Sequence, residues 1–294
     1  LIKEMKAIIF GVNGQDGYYL SKLLEKNEVK VIGISKSGIN CTMGDVSDFN
    51  FVKKIIKKHK PEYIFNFAVI SSREHKFLFD NHNTVSTGTL NILECTRLHC
   101  PKTKVFLSGS ALHFKNTGKP ITEKTPFEAK SPYSVARIHS VYAARYYRYK
   151  FNLNIYIGYF FNHDSPLRKE SHLSKMNAEA VKRIGRGSSE KIEIGDRNAK
   201  KEFNFAGDIV EAIWILVNQD KIHEAVIGSG KAYSVRDFVK NCFQKFNKDW
   251  QEHVITKNDC RSEYRTLVSD PKLIKKLGWR PKVSFDKIIS LMVE

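Results

Sequence analysis

Gly11-Val12-Asn13-Gly14-Gln15-Asp16-Gly17 follows the apolar run Ala7–Phe10 and precedes Tyr18–Lys26, where Leu20, Leu23 and Leu24 recur at helical spacing. A G-x-x-G-x-x-G stretch between a strand and a helix reverses the chain sharply and lets another group come close to its backbone. The helix beyond it offers unpaired N–H donors and the positive end of its dipole, which suits a pyrophosphate. The reading is a dinucleotide site on Gly11, Gly14, Gln15, Asp16 and Gly17, against the alternative of an ordinary glycine-rich loop.

Outward from that turn the pattern repeats. Val29–Ile34 reads as a strand, and a short run ends at Met43 before Gly44-Asp45. Asp48–Lys58 has Phe51, Val52, Ile55 and Ile56 on one helical face, and Tyr63–Phe67 is a strand. Thr87–His99 is a helix, Val105–Leu107 a strand, Tyr133–Phe151 a long helix and Ile155–Phe160 a strand. Alternating strands and helices predict an α/β fold, a doubly wound parallel Rossmann sheet with helices on both faces. After about residue 161 the pattern loosens, with helices over Lys175–Ile184, Ile209–Val217 and Val235–Phe246. The expectation is an NAD(P)-binding Rossmann domain over 1–161 and a smaller C-terminal substrate lobe over 162–294, with returns to the sheet.

An acidic residue after the second strand would grip the ribose of NAD. Here the strand runs into Ser35-Lys36-Ser37, with no carboxylate. A cation flanked by hydroxyls suits a 2′-phosphate, so NADP is the expected cofactor and NAD the alternative. Asp45 and Val46 read as adenine contacts, and Phe67 and Ala68 as a wall beside the cofactor; each also reads as a strand end.

The 294 residues are 41% hydrophobic, enough for a globular core without staples. No run approaches the roughly 20 apolar residues of a membrane helix. The opening residues lack the length and pattern of a signal peptide. Cys41, Cys95, Cys100, Cys242 and Cys260 form no CxxC pair, which argues against a metal site and for reduced thiols in the cytoplasm. The formal charge of +18 has two readings, a phosphate-rich partner or a solvated lysine-rich surface. No nucleic-acid recognition motif accompanies it.

Several stretches together resemble the GDP-mannose 4,6-dehydratases, a family of extended short-chain dehydrogenases. They are Gly14-Gln15-Asp16-Gly17 with Tyr19-Leu20, Ser131-Pro132-Tyr133-Ser134-Val135-Ala136, and Phe161-Asn162-His163-Asp164-Ser165-Pro166-Leu167-Arg168. Tyr233–Val239, Asp270-Pro271-Lys272, Leu277–Pro281 and Val283-Ser284-Phe285 continue the match to the end of the chain. The glycine motif is common to the whole superfamily; the Asn-His-Asp-Ser-Pro stretch is more particular to enzymes of GDP-sugars. The chain is short for the family and lacks a long loop after Ser37 that carries cofactor contacts and helps tetramers form there.

The resemblance implies a nicotinamide cofactor, a nucleotide-sugar substrate and a homo-oligomer. It makes Tyr133 the acid/base that exchanges a sugar hydroxyl proton as hydride leaves. Where the family has Lys, one helical turn on, this chain has Arg137, a bulkier, planar and permanently charged group. Where the family places Thr-Ser-Glu, it reads Gly109-Ser110-Ala111, so Ser110 and the neighbouring Ser108 are the remaining hydroxyls and Ala111 supplies no base. His113, which stands in place of a family tyrosine, Glu123 and His163 are candidate replacements. For the substrate, the resemblance implies Ser71, Asn162, Arg168, Lys175, Lys200, Lys201, Arg261 and Glu263, with no metal. Lys200 and Lys201 stand where the family has arginines.

Three functions follow. One is an enzyme performing C4 redox chemistry on a nucleotide sugar, GDP-linked by the resemblance, with dehydration in doubt. Another is a catalytically degenerate homologue that binds cofactor or sugar as a regulatory or partner subunit. The third, a nucleic-acid binder, rests on charge alone and is set aside.

Overall fold

The computed structural model describes residues 4–257 and 262–294. The chain forms two compact units. The first holds Leu1–Lys115, Glu123–Phe160 and Val210–Ala225; the second holds Asn116–Thr122, Phe161–Ile209 and Val226–Glu294.

Strands and helices alternate from the start: β1 (Lys6–Phe10), α1 (Gln15–Lys26), β2 (Lys30–Ser35), β3 (Thr42–Met43), α2 (Phe49–His59) and β4 (Tyr63–Asn66). Next α3 (Leu78–Asn81), a π-helical stretch His82–Thr87 and α4 (Gly88–His99) follow without a break. This helical run begins well before the predicted start at Thr87, because the polar segment before it carries no 3.6-residue apolar period. Then come β5 (Lys104–Ser110), α5 (Pro132–Phe151), β6 (Ile155–Phe160), β7 (His163–Asp164) and α6 (Leu173–Gly185). The remainder is β8 (Ile192–Ile194), β9 (Lys200–Glu202), β10 (Asn204–Phe205), α7 (Ala206–Val217), β11 (Glu224–Ile227), β12 (Ala232–Ser234) and α8 (Val235–Gln244). It closes with β13 (Val254–Thr256), β14 (Thr266–Leu267), α9 (Lys272–Lys276) and α10 (Phe285–Val293).

The main sheet has seven strands in the order β3-β2-β1-β4-β5-β6-β11. The strand order reverses at β1/β4, as in a doubly wound Rossmann sheet. The expected fold class is therefore the observed one. Every residue of β4 and β6 is buried, which explains why Asn66 is the one strongly polar side chain in either. The parallel registers pair Phe10 with Ile34 and Asn66, Asn66 with Leu107, and Ser108 with Gly158. The carboxyl ends of β1, β2, β4 and β5 thus lie along one sheet edge, the edge where open α/β sheets bind ligands.

In the second unit, Phe203 stacks on Phe238 at 4.8 Å and Tyr233 on Phe285 at 3.9 Å, joining α6, α8 and α10 in one core. A wholly buried carboxylate, Glu202, pins two loops to β9. It accepts bonds from Ser229 N (2.6 Å) and from the N and Oγ of Ser269 (2.6 Å each). Among the described residues no helix is long and apolar enough to cross a membrane, and no cluster of His, Cys, Asp or Glu could hold a metal ion.

Candidate functional site

The three glycines of the first turn answer to different demands. Gly11 has φ +84°, and a Cβ there would lie 2.9 Å from Ala68 N and Phe67 C. At Gly17 a Cβ would lie 2.5 Å from Gly11 O and 2.6 Å from Val12 Cα, so α1 could not start so close to β1. Gly14 differs: φ −78° and ψ 163° suit any residue, and its Cβ would meet only Gly11 O at 3.4 Å. The fold requires glycine at 11 and 17 but not at 14, where the bare backbone faces open space at the N-terminus of α1. Gln15 is buried and Asp16 half-buried in the first turn of that helix.

At the end of β2, the Asn13 amide donates to Ser35 Oγ (2.9 Å), Ser37 Oγ (3.0 Å) and Ile39 O (3.1 Å), closing a tight loop. Lys36 pairs with Asp45 at 2.9 Å, both exposed. Burial alone would raise the Asp45 carboxyl, but the Ser47 N–H and Lys36 outweigh it and hold it below its ordinary range. Val46 is buried beneath Gly88, and Phe67 packs on Phe106 at 6.0 Å.

Tyr133 and Arg137 sit in the opening turns of α5. Ser131 caps that helix: its Oγ accepts from Ser134 N (3.2 Å), and Ser134 Oγ accepts from Ser131 N (2.9 Å), with Pro132 beginning the helix. The Arg137 guanidinium lies over the Tyr133 ring, 5.3 Å from its centroid. Its Nη1 donates to Ser108 O and to Ser108 Oγ (2.9 Å), while Ser108 Oγ donates to Asn66 O at 2.9 Å. Ser110 Oγ accepts from Leu112 N at 3.2 Å.

Beside this group the structure has an aromatic box that sequence reasoning missed. His113 is fully buried, with ring contacts to Tyr159 (5.7 Å), Phe127 (6.0 Å) and Phe114 (6.5 Å). Neither imidazole nitrogen has a hydrogen-bond partner among the described residues. Burial, reinforced by the charge of Arg137, keeps the ring neutral far below the usual histidine range. Tyr159 packs against Gly109: a Cβ there would lie 2.7 Å from Tyr159 Cδ1. The tyrosine and the glycine therefore share one space, set by the β5–β6 register that pairs them, and no local sequence pattern signals it.

In the second unit, the segment Phe161–Ser174 folds around Asp164, a residue of the quoted motif to which the sequence assigns no role. Asp164 is wholly buried; it accepts from Asn162 Nδ2 (2.9 Å) and Ser174 Oγ (2.5 Å). Arg168 Nε lies 3.7 Å from Asp164 Oδ1, and Arg168 Nη2 lies 3.1 Å from His172 Nδ1. Asn162 and Arg168 are thus brought together. Lys175 is tied along α6 to Glu179 at 2.6 Å. Lys200 and Lys201 are neighbours in a strand, so their side chains leave on opposite faces. Lys201 lies over Phe203 at 5.2 Å and acts electrostatically on His172, whereas Lys200 acts on Asp237. Glu263 is exposed, Ser71 is exposed in the loop after β4, and Arg261 lies outside the described residues. His163 is buried, its Nδ1 2.9 Å from Phe161 O, and Glu123 is half-buried.

The family model for GDP-mannose 4,6 dehydratase matches residues 8–292. The chain belongs to the GDP-mannose 4,6-dehydratase family. It is 30% identical to GDP-mannose 4,6 dehydratase 1 of Arabidopsis thaliana, over all of this chain and 90% of that protein. Their alignment spans 326 positions, more than the chain's 294 residues, so this member lacks segments that its relative has. The fold matches dTDP-glucose 4,6-dehydratase from Bacillus anthracis in complex with NAD, with TM-score 0.86 and 17% identity over 98% of this chain and 95% of that one. It also matches RMD from Pseudomonas aeruginosa complexed with NADPH, with TM-score 0.87 and 15% identity over 98% of this chain and 96% of that one.

Proposed function

We propose that this family member binds a nicotinamide dinucleotide over Gly11–Gly17 and a nucleotide sugar, GDP-linked, through its second unit, and acts on the sugar's C4 hydroxyl without dehydrating it. The observation that carries the cofactor half is Gly14. Its conformation and surroundings tolerate a side chain, so what excludes one is a group from outside, and a pyrophosphate on the amino end of α1 is that group. The Ser35-Lys36-Ser37 end of β2 favours NADP, with Lys36 exchanging Asp45 for a 2′-phosphate; one structural neighbour is a complex with NADPH and another a complex with NAD.

When bound, the nicotinamide supplies hydride exchange at C4. Tyr133 exchanges the C4 hydroxyl proton, and Arg137 places a cation over the ring as negative charge develops there. Ser108 is occupied on both its donor and acceptor sides. Ser110 only accepts, from Leu112, which keeps its hydroxyl hydrogen for the substrate and makes it Tyr133's partner. Asn162, Arg168 and Lys201 hold the diphosphate; Ser71, Lys175, Lys200, Arg261 and Glu263 rest on the family resemblance alone. The scattered thiols, unpaired at Cys41, Cys95, Cys100 and Cys242, accord with a cytoplasmic setting. Self-association is assigned to the outer face of α5, where Val135, Tyr142, Tyr146 and Tyr149 form an exposed stripe.

One observation favours the second reading, a binding subunit without turnover. Arg137 Nη1 is engaged by Ser108, which withdraws donors from the ribose hydroxyls that the family's lysine holds. A panel of GDP-, UDP-, CDP- and dTDP-sugars with NAD or NADP separates the readings. The expected result is stabilisation by a GDP-sugar and by NADP, and a C4-oxidised or C4-inverted product by mass spectrometry. Stabilisation with no product supports the binding subunit, and stabilisation by neither ligand class rejects both.

The glycine argument gives a sharper test. Gly14→Ala should leave the melting temperature within about 2 °C and weaken NADP binding at least tenfold, roughly 1.4 kcal/mol. Gly17→Ala should destabilise the fold itself by about 1–3 kcal/mol, as for other overpacked sites. Unchanged NADP affinity in Gly14→Ala would remove the pyrophosphate from this turn.

A further inference from the structure

The guanidinium of Arg168 is held from two sides. Asp164 faces Nε at 3.7 Å, beyond hydrogen-bond reach, and Nε is buried with no hydrogen-bond partner among the described residues. His172 Nδ1 meets Nη2 at 3.1 Å. Arginine has five donors and no acceptor, so Nδ1 accepts and the imidazole proton sits on Nε2. His172 is the N-cap residue of α6 with extended backbone (φ −87°, ψ 136°), yet its side chain makes no capping bond. A serine or aspartate there would stabilise the helix; the histidine ring is committed to Arg168 instead.

The charges around His172 keep it an acceptor. Burial lowers it most, followed by Arg168; Asp164 opposes them, and Lys201 and His163 lower it further, leaving it at about 4. At neutral pH it is uncharged. The Arg168 side chain is 20% exposed, so its guanidinium is not sealed from solvent.

We propose that His172 is the positioning residue of the diphosphate site: as a neutral acceptor at Nη2 it fixes the plane of the Arg168 guanidinium, so that Nη1 and the remaining Nη2 hydrogen are presented to a diphosphate. This rests on the reading of Arg168 as a diphosphate contact. A flexible arginine must be ordered when the anion arrives, and the side-chain ordering cost lowers affinity. An arginine already held by Nδ1 avoids that cost. Lys201, on the same side, adds charge but no fixed plane.

The test uses the whole chain, with GDP as the probe in calorimetry at pH 7.5. Arg168→Ala should weaken GDP binding by about 10- to 100-fold, the usual effect of losing a charged hydrogen bond. His172→Phe and His172→Ala should each weaken it by about fivefold or more. His172→Asn, whose amide oxygen can accept in place of Nδ1, should return to within about twofold of wild type. In the Arg168→Ala background, His172→Ala should change nothing further, because the two residues act as one. Full affinity in His172→Ala, or an equal loss in both backgrounds, or failure of asparagine to rescue, overturns the positioning role and leaves the diphosphate reading intact. Full affinity in Arg168→Ala overturns that reading itself. Melting curves identify any variant that fails to fold; the alanine variant adds no bulk and keeps the test open if phenylalanine does not fit.

Discussion

Replacing Glu224 with glutamine is expected to lower the unfolding free energy by about 2–4 kcal/mol at pH 7, the range for removing one charge from a buried ion pair, discounted for partial exposure. Glu224 is 15% exposed at its side chain and accepts four bonds: Arg145 Nε (3.0 Å) and Nη2 (2.7 Å), Arg148 Nη1 (3.0 Å) and Tyr159 Oη (2.8 Å). Burial by itself would raise this carboxyl. The bonds from Arg145, Tyr159 and Arg148 more than offset it and bring it down to about 2. A carboxyl lowered on folding stabilises the protein fully above its unfolded value near 4.5. That stabilisation fades as pH falls from there toward 2. The gap between wild type and Glu224→Gln should therefore be widest at pH 6–7 and should shrink at pH 3. Urea titrations at the two pH values measure it; an equal gap at both would mean that the charge on Glu224 is not what stabilises the fold.

The same carboxylate marks where the sequence stopped being legible. The glycine turn and the alternation of strands and helices were readable because each is a local pattern: glycines at fixed offsets, and short apolar runs between amphipathic ones. Asn162 and Arg168, which lie in one short stretch of the sequence, do meet around Asp164. Glu224 was not readable, since its partners come from α5 and β6, distant in the chain and adjacent only once the sheet forms. The strand that carries it, β11, is only four residues long, too short for its apolar run to stand out. The pairing of Gly109 with Tyr159 was hidden for the same reason, and so was Asp164, whose role depends on burial that no periodicity reveals. Lys200 and Lys201 looked like a pair because they are adjacent in sequence; in a strand, adjacency is what separates side chains.

Those long-range couplings change what it would take to recover dehydration. Elimination across C5–C6 needs a base at C5, and Ala111 offers none. The unmodified protein is expected to yield no detectable 4-keto-6-deoxy sugar, since each missing proton-transfer group typically costs about 10²–10⁴ in rate. Restoring Ala111→Glu, Gly109→Thr and Arg137→Lys together looks sufficient from sequence alone, but the packing forbids it. A threonine Cβ at 109 would lie 2.7 Å from Tyr159 Cδ1 and 3.1 Å from Gly158 O, against a ring that is fully buried. Gly109→Thr alone should cost about 1–3 kcal/mol of stability by overpacking. Tyr159→Ile makes room, and it removes one of the four donors to Glu224 while Arg145 and Arg148 remain. The fourfold variant, with Tyr159→Ile added, is therefore the one expected to dehydrate a GDP-sugar, by about 10²-fold or more above background, while the triple variant that keeps Tyr159 should melt lower and turn over less. Mass-spectrometric detection of the product, with melting curves for every variant, decides the matter. Ready formation of the 4-keto-6-deoxy product by the unmodified chain would sink the idea, and would direct the search for its base to His113, Glu123 and His163. Of these His113 would have to leave its aromatic box, since both of its ring nitrogens are buried there.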